Sequence, residues 1–401
     1  MDIEINPFSS HDTLPKRRFQ FWDDDRTVKW FQARGYILYT RPSNTKHGSE
    51  ASVTESNPYL TVPSVPEDEP FVPAVYPYAC HDDSTSDPSE IARGIEERKG
   101  SVCFAQDREG RHVTIKLVPA DARTDERKIY QFLHRQDIQV LEENCVLPVL
   151  EMLHFNEHCF VVMPRWGNLV RYPEPVRLRE VIEFIRGCLK GLAFLHRHGI
   201  IHRDLSWGNY LVNHFTSQNA QRDSYERRGL RMRGELLYAI FDYSLSILLP
   251  PDVDPKTFRL PYNMTWEGTC FSIPDVWHGE LDYDPFAYDV AVLGHMMSLD
   301  YQHLCPDLCL LAPLIDGMTT KTIQKRFTAD RALAFLEANM DTVTDDKWDG
   351  LPADLVQKWA QYREPPLPKV TKLMRWLCEN NQVATFVRVL RRVGRLFKLK
   401  L

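Results

Sequence analysis

The chain has no uncharged apolar run approaching the ~18 residues that a membrane-spanning helix needs. Its opening, Met1-Asp2-Ile3-Glu4, lacks the basic-then-apolar order of a secretory leader. Nine cysteines are scattered over 401 residues without a Cys-x-x-Cys pair, which argues against a zinc ribbon or a disulfide framework. Cys305 and Cys309, the closest pair, read as two reduced thiols. A formal charge of −6 is too mild to name a polyanionic partner, so no nucleic acid is expected. No internal repeat is visible. These absences lead us to expect an intracellular chain, cytoplasmic or nuclear. Its 43% hydrophobic content can fill a sizeable core, and its length allows two or three domains.

What is present starts at His202-Arg203-Asp204-Leu205-Ser206-Trp207-Gly208-Asn209. An Asp with an Asn five residues later has the spacing of a phosphoryl-transfer loop. There the Asp accepts or orients the proton of an attacking hydroxyl, and the Asn reaches back to a metal on nucleotide phosphates. Asp242 closes the apolar run Ala239-Ile240-Phe241, the place for a second magnesium-binding carboxylate at a strand end; a strand-capping turn residue fits as well. Val113–Val118 alternates with period two, putting Val113, Ile115 and Leu117 on one face and Thr114 and Lys116 on the other. Ile129, Phe132 and Leu133 then recur at helical spacing, so that Glu126 could reach Lys116. Taken singly, Lys116 and Glu126 also fit ordinary surface positions.

The order Lys116, Glu126, Asp204, Asn209, Asp242 resembles the eukaryotic protein kinase family, and most of all the divergent kinase-like proteins of mushroom-forming fungi. Gly268-Thr269 before Ile273-Pro274-Asp275 resembles the family's Ala-Pro-Glu, with Asp for Glu. The helix containing Asp289 resembles the one that braces the catalytic loop. Arg326, ahead of Ala332-Leu333, resembles the Arg that pairs with the Ala-Pro-Glu acid. The resemblance covers roughly residues 90–340. It implies an α+β, bilobal protein-kinase-like fold with a small β-rich N-lobe and a larger helical C-lobe. It also implies ATP and Mg2+ as cofactors and a protein Ser or Thr hydroxyl as acceptor. Asp204 would be the catalytic base, Asn209 and Asp242 the metal ligands, and Lys116, oriented by Glu126, the phosphate clamp. Gly100 would end the phosphate-binding loop, and Thr114 would share the Lys116 face of the nucleotide pocket. Val102 and Leu211 would form its roof and floor, though both fit a core equally well. Met163, Pro164, Arg165 and Trp166 would be the hinge, whose backbone holds adenine.

Along the chain, residues 1–40 carry too many aromatics for a solvated tail and are expected to pack on the domain, with a helix around Thr27–Arg34. Residues 41–90 hold eight of the 27 prolines and read as a flexible insertion. The kinase-like domain is expected at 91–340, with the N-lobe at 91–163 and the C-lobe at 167–340. A core helix is expected from Leu178, Val181, Ile182, Ile185, Leu189, Leu192 and Leu195. The Arg-rich stretch 213–236 reads as a solvated insertion, with a phosphate-docking patch as its alternative. Residues 341–401 would be a helical extension. Its basic tail, 383–401, would pack on its own domain or sit on a membrane surface or acidic partner.

Three departures from the family pattern stand out. Ile95 and Glu97 occupy the places of the first two loop glycines counted back from Gly100, which weakens a phosphate cradle. Ser206 replaces the Lys that contacts the transferred phosphate. Asp242-Tyr243-Ser244 replaces Asp-Phe-Gly while keeping the acid. An active Ser/Thr kinase is therefore the leading expectation, and a pseudokinase acting as a binding scaffold the alternative. A small-molecule phosphotransferase is disfavoured by the Gly268–Asp275 stretch and Arg326.

Overall fold

The computed structural model describes residues 14–39, 75–81, 100–118, 125–155, 158–216, 222–268, 273–276 and 281–340. The expectations for 41–74, for Ile95 and Glu97, and for the extension and basic tail from 341 onward lie outside them. The chain divides into two compact units, Met1–Pro175 with Tyr210–Phe241, and Val176–Asn209 with Asp242–Leu401.

The first unit is built on strands β1 (Ile37–Leu38), β2 (Cys80–His81), β3 (Val102–Gln106), β4 (His112–Val118), β5 (Glu151–Phe155) and β6 (His158–Pro164). Five of them form an antiparallel sheet in the order β1-β3-β4-β6-β5. Alternation sorts the side chains of this sheet. Val113, Ile115 and Leu117 lie on one face with Cys103, Ala105, Phe160 and Val162. That face is covered by α1 (Leu14–Asp23) and α2 (Asp25–Gln32), whose Phe21, Trp22 and Phe31 enter the same core. Phe21 stacks on Phe160 at 5.9 Å between ring centres, and Phe31 meets Phe160 edge-on at 5.1 Å. Each buried aromatic contributes about 1.5–3 kcal/mol over an exposed one, so the segment packs. Asp24 starts α2 by accepting a hydrogen bond from Arg26 N at 2.9 Å.

The edge strand is a surprise in register. β1 pairs with β3 through Ile37↔Gln106 and Leu38↔Ala105, and Tyr39 N donates to Phe104 O at 2.9 Å. β1, the strand paired with this end of β3, thus lies before residue 40 in the sequence, and the segment numbered 39–101 separates the two. A sheet edge recruits whichever apolar strand completes its ladder, whatever the sequence separation.

On the sheet's other face α3 (Glu126–His134) brings up Glu126, followed by α4 (Ile138–Glu143). The unit is completed by β8 (Tyr210–Val212) paired with β10 (Tyr238–Ile240), by β9 (His214–Phe215) paired in parallel with β2, and by α6 (Tyr225–Arg233). Ser224 caps the start of α6, and Gly234, at φ +75°, ends it. The reading of 213–236 as a solvated insertion is corrected here. Arg227 is fully buried and donates to the carbonyls of Asn168, Leu169, Tyr172 and His214. Arg231, also buried, donates to those of Val170, Tyr172 and Pro173. Residues 168–173 form no regular helix or strand, so their carbonyls need outside donors.

The second unit is helical. α5 (Leu178–Arg197) buries the predicted stripe of Leu178, Val181, Ile182, Ile185, Leu189, Leu192 and Leu195. α7 (Pro285–Tyr301) starts at the Asp284 cap with Pro285 in its first turn and is buried almost all round. α8 (Leu311–Thr319) packs tightly on it: a Cβ at Gly294 would come 2.7 Å from Met318 Cβ. α9 (Ala329–Asn339), capped by Thr328, packs on α5. Two short ladders, β7 (Ile200–Ile201) with β11 (Ile247–Leu248) and β12 (Leu260–Pro261) with β13 (Asp282–Tyr283), tie the connecting segments together. Among the described residues no helix is long and apolar enough to cross a membrane.

Candidate active site

In the sheet unit, Lys116 projects from β4 and Glu126 opens α3, and their Nζ and Oε1 atoms are 2.5 Å apart with both side chains buried. Alternation and cross-strand pairing give Lys116 its neighbours. Val102 lies directly opposite it on β3, Thr114 two residues before it, and Met163 opposite Thr114 on β6. Val102, Thr114, Met163 and Lys116 therefore share the face that α1 and α2 leave uncovered. Leu211 is half-buried on β8, turned away from its buried neighbours Tyr210 and Val212.

Gly100 is buried at φ +64°, and its carbonyl accepts a hydrogen bond from the Trp22 indole at 2.9 Å. Nothing in the sequence signals this contact, which joins residues 78 apart.

The hinge expectation needs one correction. Arg165 N donates to His112 O at 3.1 Å, so that backbone group is engaged, and Pro164 has no N–H. The Arg165 guanidinium turns inward, lying 4.2 Å from the Phe215 ring centre and 4.9 Å from that of Phe104, and donating to Tyr39 Oη at 2.7 Å. Burial pushes its pKa down, and the Tyr39 contact opposes the shift. Ring faces and a phenol hold this cation in the interior, so the Arg165 side chain does not face the hinge expectation's nucleotide. The Trp166 side chain is also committed, its indole donating to Pro77 O at 2.8 Å. Its backbone N–H donates to no main-chain carbonyl among the described residues.

In the helical unit the His202–Asn209 loop is braced from below. Asp289 on α7 accepts hydrogen bonds from His202 N at 2.8 Å and Arg203 N at 3.0 Å, and its Oδ2 lies 3.1 Å from His196 Nε2. Asn209 folds back on Asp204, its amide donating to the main-chain oxygen at 2.5 Å and to Oδ2 at 3.1 Å. Trp207 is fixed by Asp300, its indole donating to Oδ2 at 2.6 Å; no sequence signal points to this partner on α7. Arg203 and Asp242 both sit at φ +66°, a left-handed conformation rare outside glycine. Residues 243–248 hold Asp242 beside the loop. Tyr243 packs edge-on against His202, Ser246 Oγ donates to His202 O at 3.0 Å, and β11 pairs with β7.

Arg203 stitches the segment after Asp242, donating to Leu245 O at 2.9 Å and Met264 O at 2.8 Å. Asp275 and Arg326 meet in a buried ion pair, as the resemblance implied. Chemically, the loop offers one carboxylate oxygen not engaged by Asn209, and Asn209 Oδ1 and the Asp242 carboxylate as hard oxygen donors of the kind magnesium takes. No group of three or more His, Cys, Asp or Glu side chains suited to a metal occurs among the described residues.

The fold is the bilobal α+β fold of protein kinases. The family described as protein tyrosine and serine/threonine kinase matches residues 90–234, roughly a third of the chain. Among curated proteins, NUAK family SNF1-like kinase 2 of Rattus norvegicus is 27% identical over 194 residues, covering 46% of this chain and 30% of that protein. Mitogen-activated protein kinase HOG1 of Candida albicans is 28% identical over 123 residues, 28% of this chain and 32% of that one. Serine/threonine-protein kinase PLK4 of Danio rerio is 28% identical over 117 residues, 27% of this chain and 12% of that one. The aligned segments thus span no more than about a third of these relatives' own length.

Proposed function

We propose that the chain is an ATP-dependent protein kinase that moves the γ-phosphoryl group to a Ser or Thr hydroxyl of a protein substrate, with Mg2+ as its metal and an intracellular setting, cytoplasmic or nuclear. The observation that carries this reading is the braced catalytic loop, in which Asn209 is locked onto Asp204 while Asp289 fixes the backbone beneath. Bound Mg-ATP supplies the transferable phosphoryl group and screens its charge. The chain's own residues then position and move a proton. Asp204 accepts the acceptor hydroxyl's proton at the oxygen that Asn209 leaves open. Asn209 Oδ1 and Asp242 hold the metal, and Lys116 is kept over the phosphates by Glu126. Thr114, Val102, Met163, Leu211 and the backbone of Pro164 and Trp166 surround the base, and Gly100 ends the phosphate loop.

Two features support a second reading, a pseudokinase that serves as a nucleotide- or protein-binding scaffold. Ser206 carries no charge, and Ile95 and Glu97 occupy the sequence places of the first two loop glycines. Phosphotransfer to a generic substrate by the wild-type chain and by Asp204→Asn decides between them. The kinase reading expects a loss of at least about 10²-fold in the variant, and equal signal from both overturns it. A thermal shift with Mg-ATP reports binding separately, about 2.7 kcal/mol of stabilisation at 100 times the Kd.

A further inference from the structure

We propose that Asp300, acting through Trp207, is a positioning residue for the catalytic base Asp204, so that helix α7 holds the phosphoryl-transfer loop at two points. This rests on the kinase reading given above and deepens it.

Helix geometry puts both points on one side of α7. Asp289 and Asp300 are eleven residues apart on it, close to three full turns. Their carboxylates therefore leave the same face, roughly 16 Å apart along the axis. Asp289 takes the start of the loop, accepting from His202 N at 2.8 Å and Arg203 N at 3.0 Å. Asp300 takes its middle, where Trp207 Nε1–H donates to Oδ2 at 2.6 Å. A carboxylate acceptor makes such a bond about twice as strong as a neutral one.

The indole is seated as well as bonded. Its ring lies 5.2 Å from that of Phe184 on α5 and 6.4 Å from that of Tyr301, both buried. Phe184 and Tyr301 in turn meet edge-on at 6.3 Å. This packing sets the depth of the ring. The hydrogen bond adds direction, because it weakens steeply below ~120°.

From Trp207 the constraint reaches the reacting group along a very short path. Trp207, Gly208 and Asn209 form one tight helical turn, closed by Asn209 N donating to Ser206 O at 2.9 Å. Asn209 then reaches back, its amide donating to Asp204 O at 2.5 Å and to Asp204 Oδ2 at 3.1 Å. Fixing the first residue of so short a turn fixes the third. Gly208 adds no grip of its own: beyond its chain neighbours, a Cβ there would meet only Ser206 Oγ, at 3.5 Å. The Asp300–Trp207 bond thus sets where Asn209 holds Asp204, relative to the backbone that Asp289 anchors.

An interaction that serves only the transition state lowers kcat and kcat/KM together when lost, and leaves KM where it was. The test is steady-state phosphotransfer by the full chain to myelin basic protein, with autophosphorylation and thermal midpoints alongside. Trp207→Phe keeps a ring in the aromatic seat and removes the donor. Asp300→Leu removes the acceptor, and Asp300→Asn keeps a neutral one. Leu336→Val, at a buried position on α9 outside the loop, supplies a loss of stability for comparison.

Positioning predicts kcat about tenfold lower in Trp207→Phe and in Asp300→Leu, with both KM values within about twofold. Asp300→Asn should lose about threefold. The variant carrying both Trp207→Phe and Asp300→Leu should lose no more than either alone, because one bond is removed twice. Leu336→Val should lower Tm and keep kcat. Full kcat in Trp207→Phe, losses that multiply in the double variant, or an equal loss in Leu336→Val overturns the proposal. If Trp207→Phe and Asp300→Leu do not fold, the near-isosteric Asp300→Asn decides, and retained kcat there overturns it. A wild-type chain that transfers phosphate neither to itself nor to myelin basic protein overturns the kinase reading and this inference with it, an outcome distinct from full activity in the variants.

Discussion

Asp275 and Arg326 face each other as a two-pronged ion pair, Nη1 to Oδ2 at 2.5 Å and Nη2 to Oδ1 at 2.8 Å, with side chains only 2% and 1% exposed. The guanidinium also donates to Ala287 O and Thr320 O. Both charges have left water, so removing one strands the other. Arg326→Met is expected to lower stability by about 3–5 kcal/mol. Pairing it with Asp275→Leu should restore part of that loss, because no uncompensated carboxylate remains. Urea denaturation of the two single variants and the double variant checks this. A double variant as unstable as the sum of the singles would contradict it.

The buried Lys116–Glu126 pair gives a second expectation. Glu126→Gln keeps the shape and removes the charge that orients the ammonium. A displacement of about 1 Å at a reacting group costs on the order of 10²-fold in rate, so kcat/KM for phosphotransfer should fall by about that much. The thermal midpoint should fall as well, because the buried Lys116 ammonium loses its counter-charge. Steady-state kinetics alongside differential scanning fluorimetry reads both, and unchanged kinetics would remove Glu126 from the apparatus.

Acid stability should report His112. Tyr39 Oη lies in hydrogen-bond contact with its Nδ1, Arg165 donates to the same phenol, and His81 packs against its ring. Burial, then the charge of Arg165 and then His81, push its pKa down from 6.5 to about 2. The unfolded chain takes up a proton near pH 6.5 and the folded one does not. The stability from neutral His112 is therefore complete above that pH and is lost as pH falls toward 2. The slope is at most ~1.4 kcal/mol per pH unit. Stability measured from pH 7 to 4 should fall less steeply in His112→Gln.

Arg227 and Arg231 hold residues 168–173 by their carbonyls alone. Arg227→Met would leave the oxygens of Asn168, Leu169, Tyr172 and His214 without this donor in a buried site. We expect at least ~3 kcal/mol of destabilisation. Arg227→Lys keeps the charge but not the fork and should fall in between. Chemical denaturation of the two variants checks the order.

Much of the helical unit is legible in the sequence because local rules decide it. The stripe on α5 has a period, and the Asp204–Asn209 spacing is a reach set by one turn of chain. Lys116 and Glu126 emerge the same way, from strand alternation and then a helical spacing. The parts that escape are set by pairing at long range. Nothing near Gly100 says that its strand partner is Ile37–Leu38, or that Trp22 bonds it. Arg165, Arg227 and Arg231 look like solvent-seeking cations because composition counts charge and cannot see rings and carbonyls waiting inside. Sequence alone accordingly sends Arg165 to the nucleotide hinge and the other two to a solvated insertion.

The span from Tyr39 to Ser101 separates two hydrogen-bonded neighbours in the sequence; among its described residues, Pro77 O accepts from the Trp166 indole and Cys80 N donates to Asn213 O. The entropy of closing such a connection grows only with the logarithm of its length, about 0.6 kcal/mol per doubling. The seam between these strands can therefore accept or shed cargo at little thermodynamic expense.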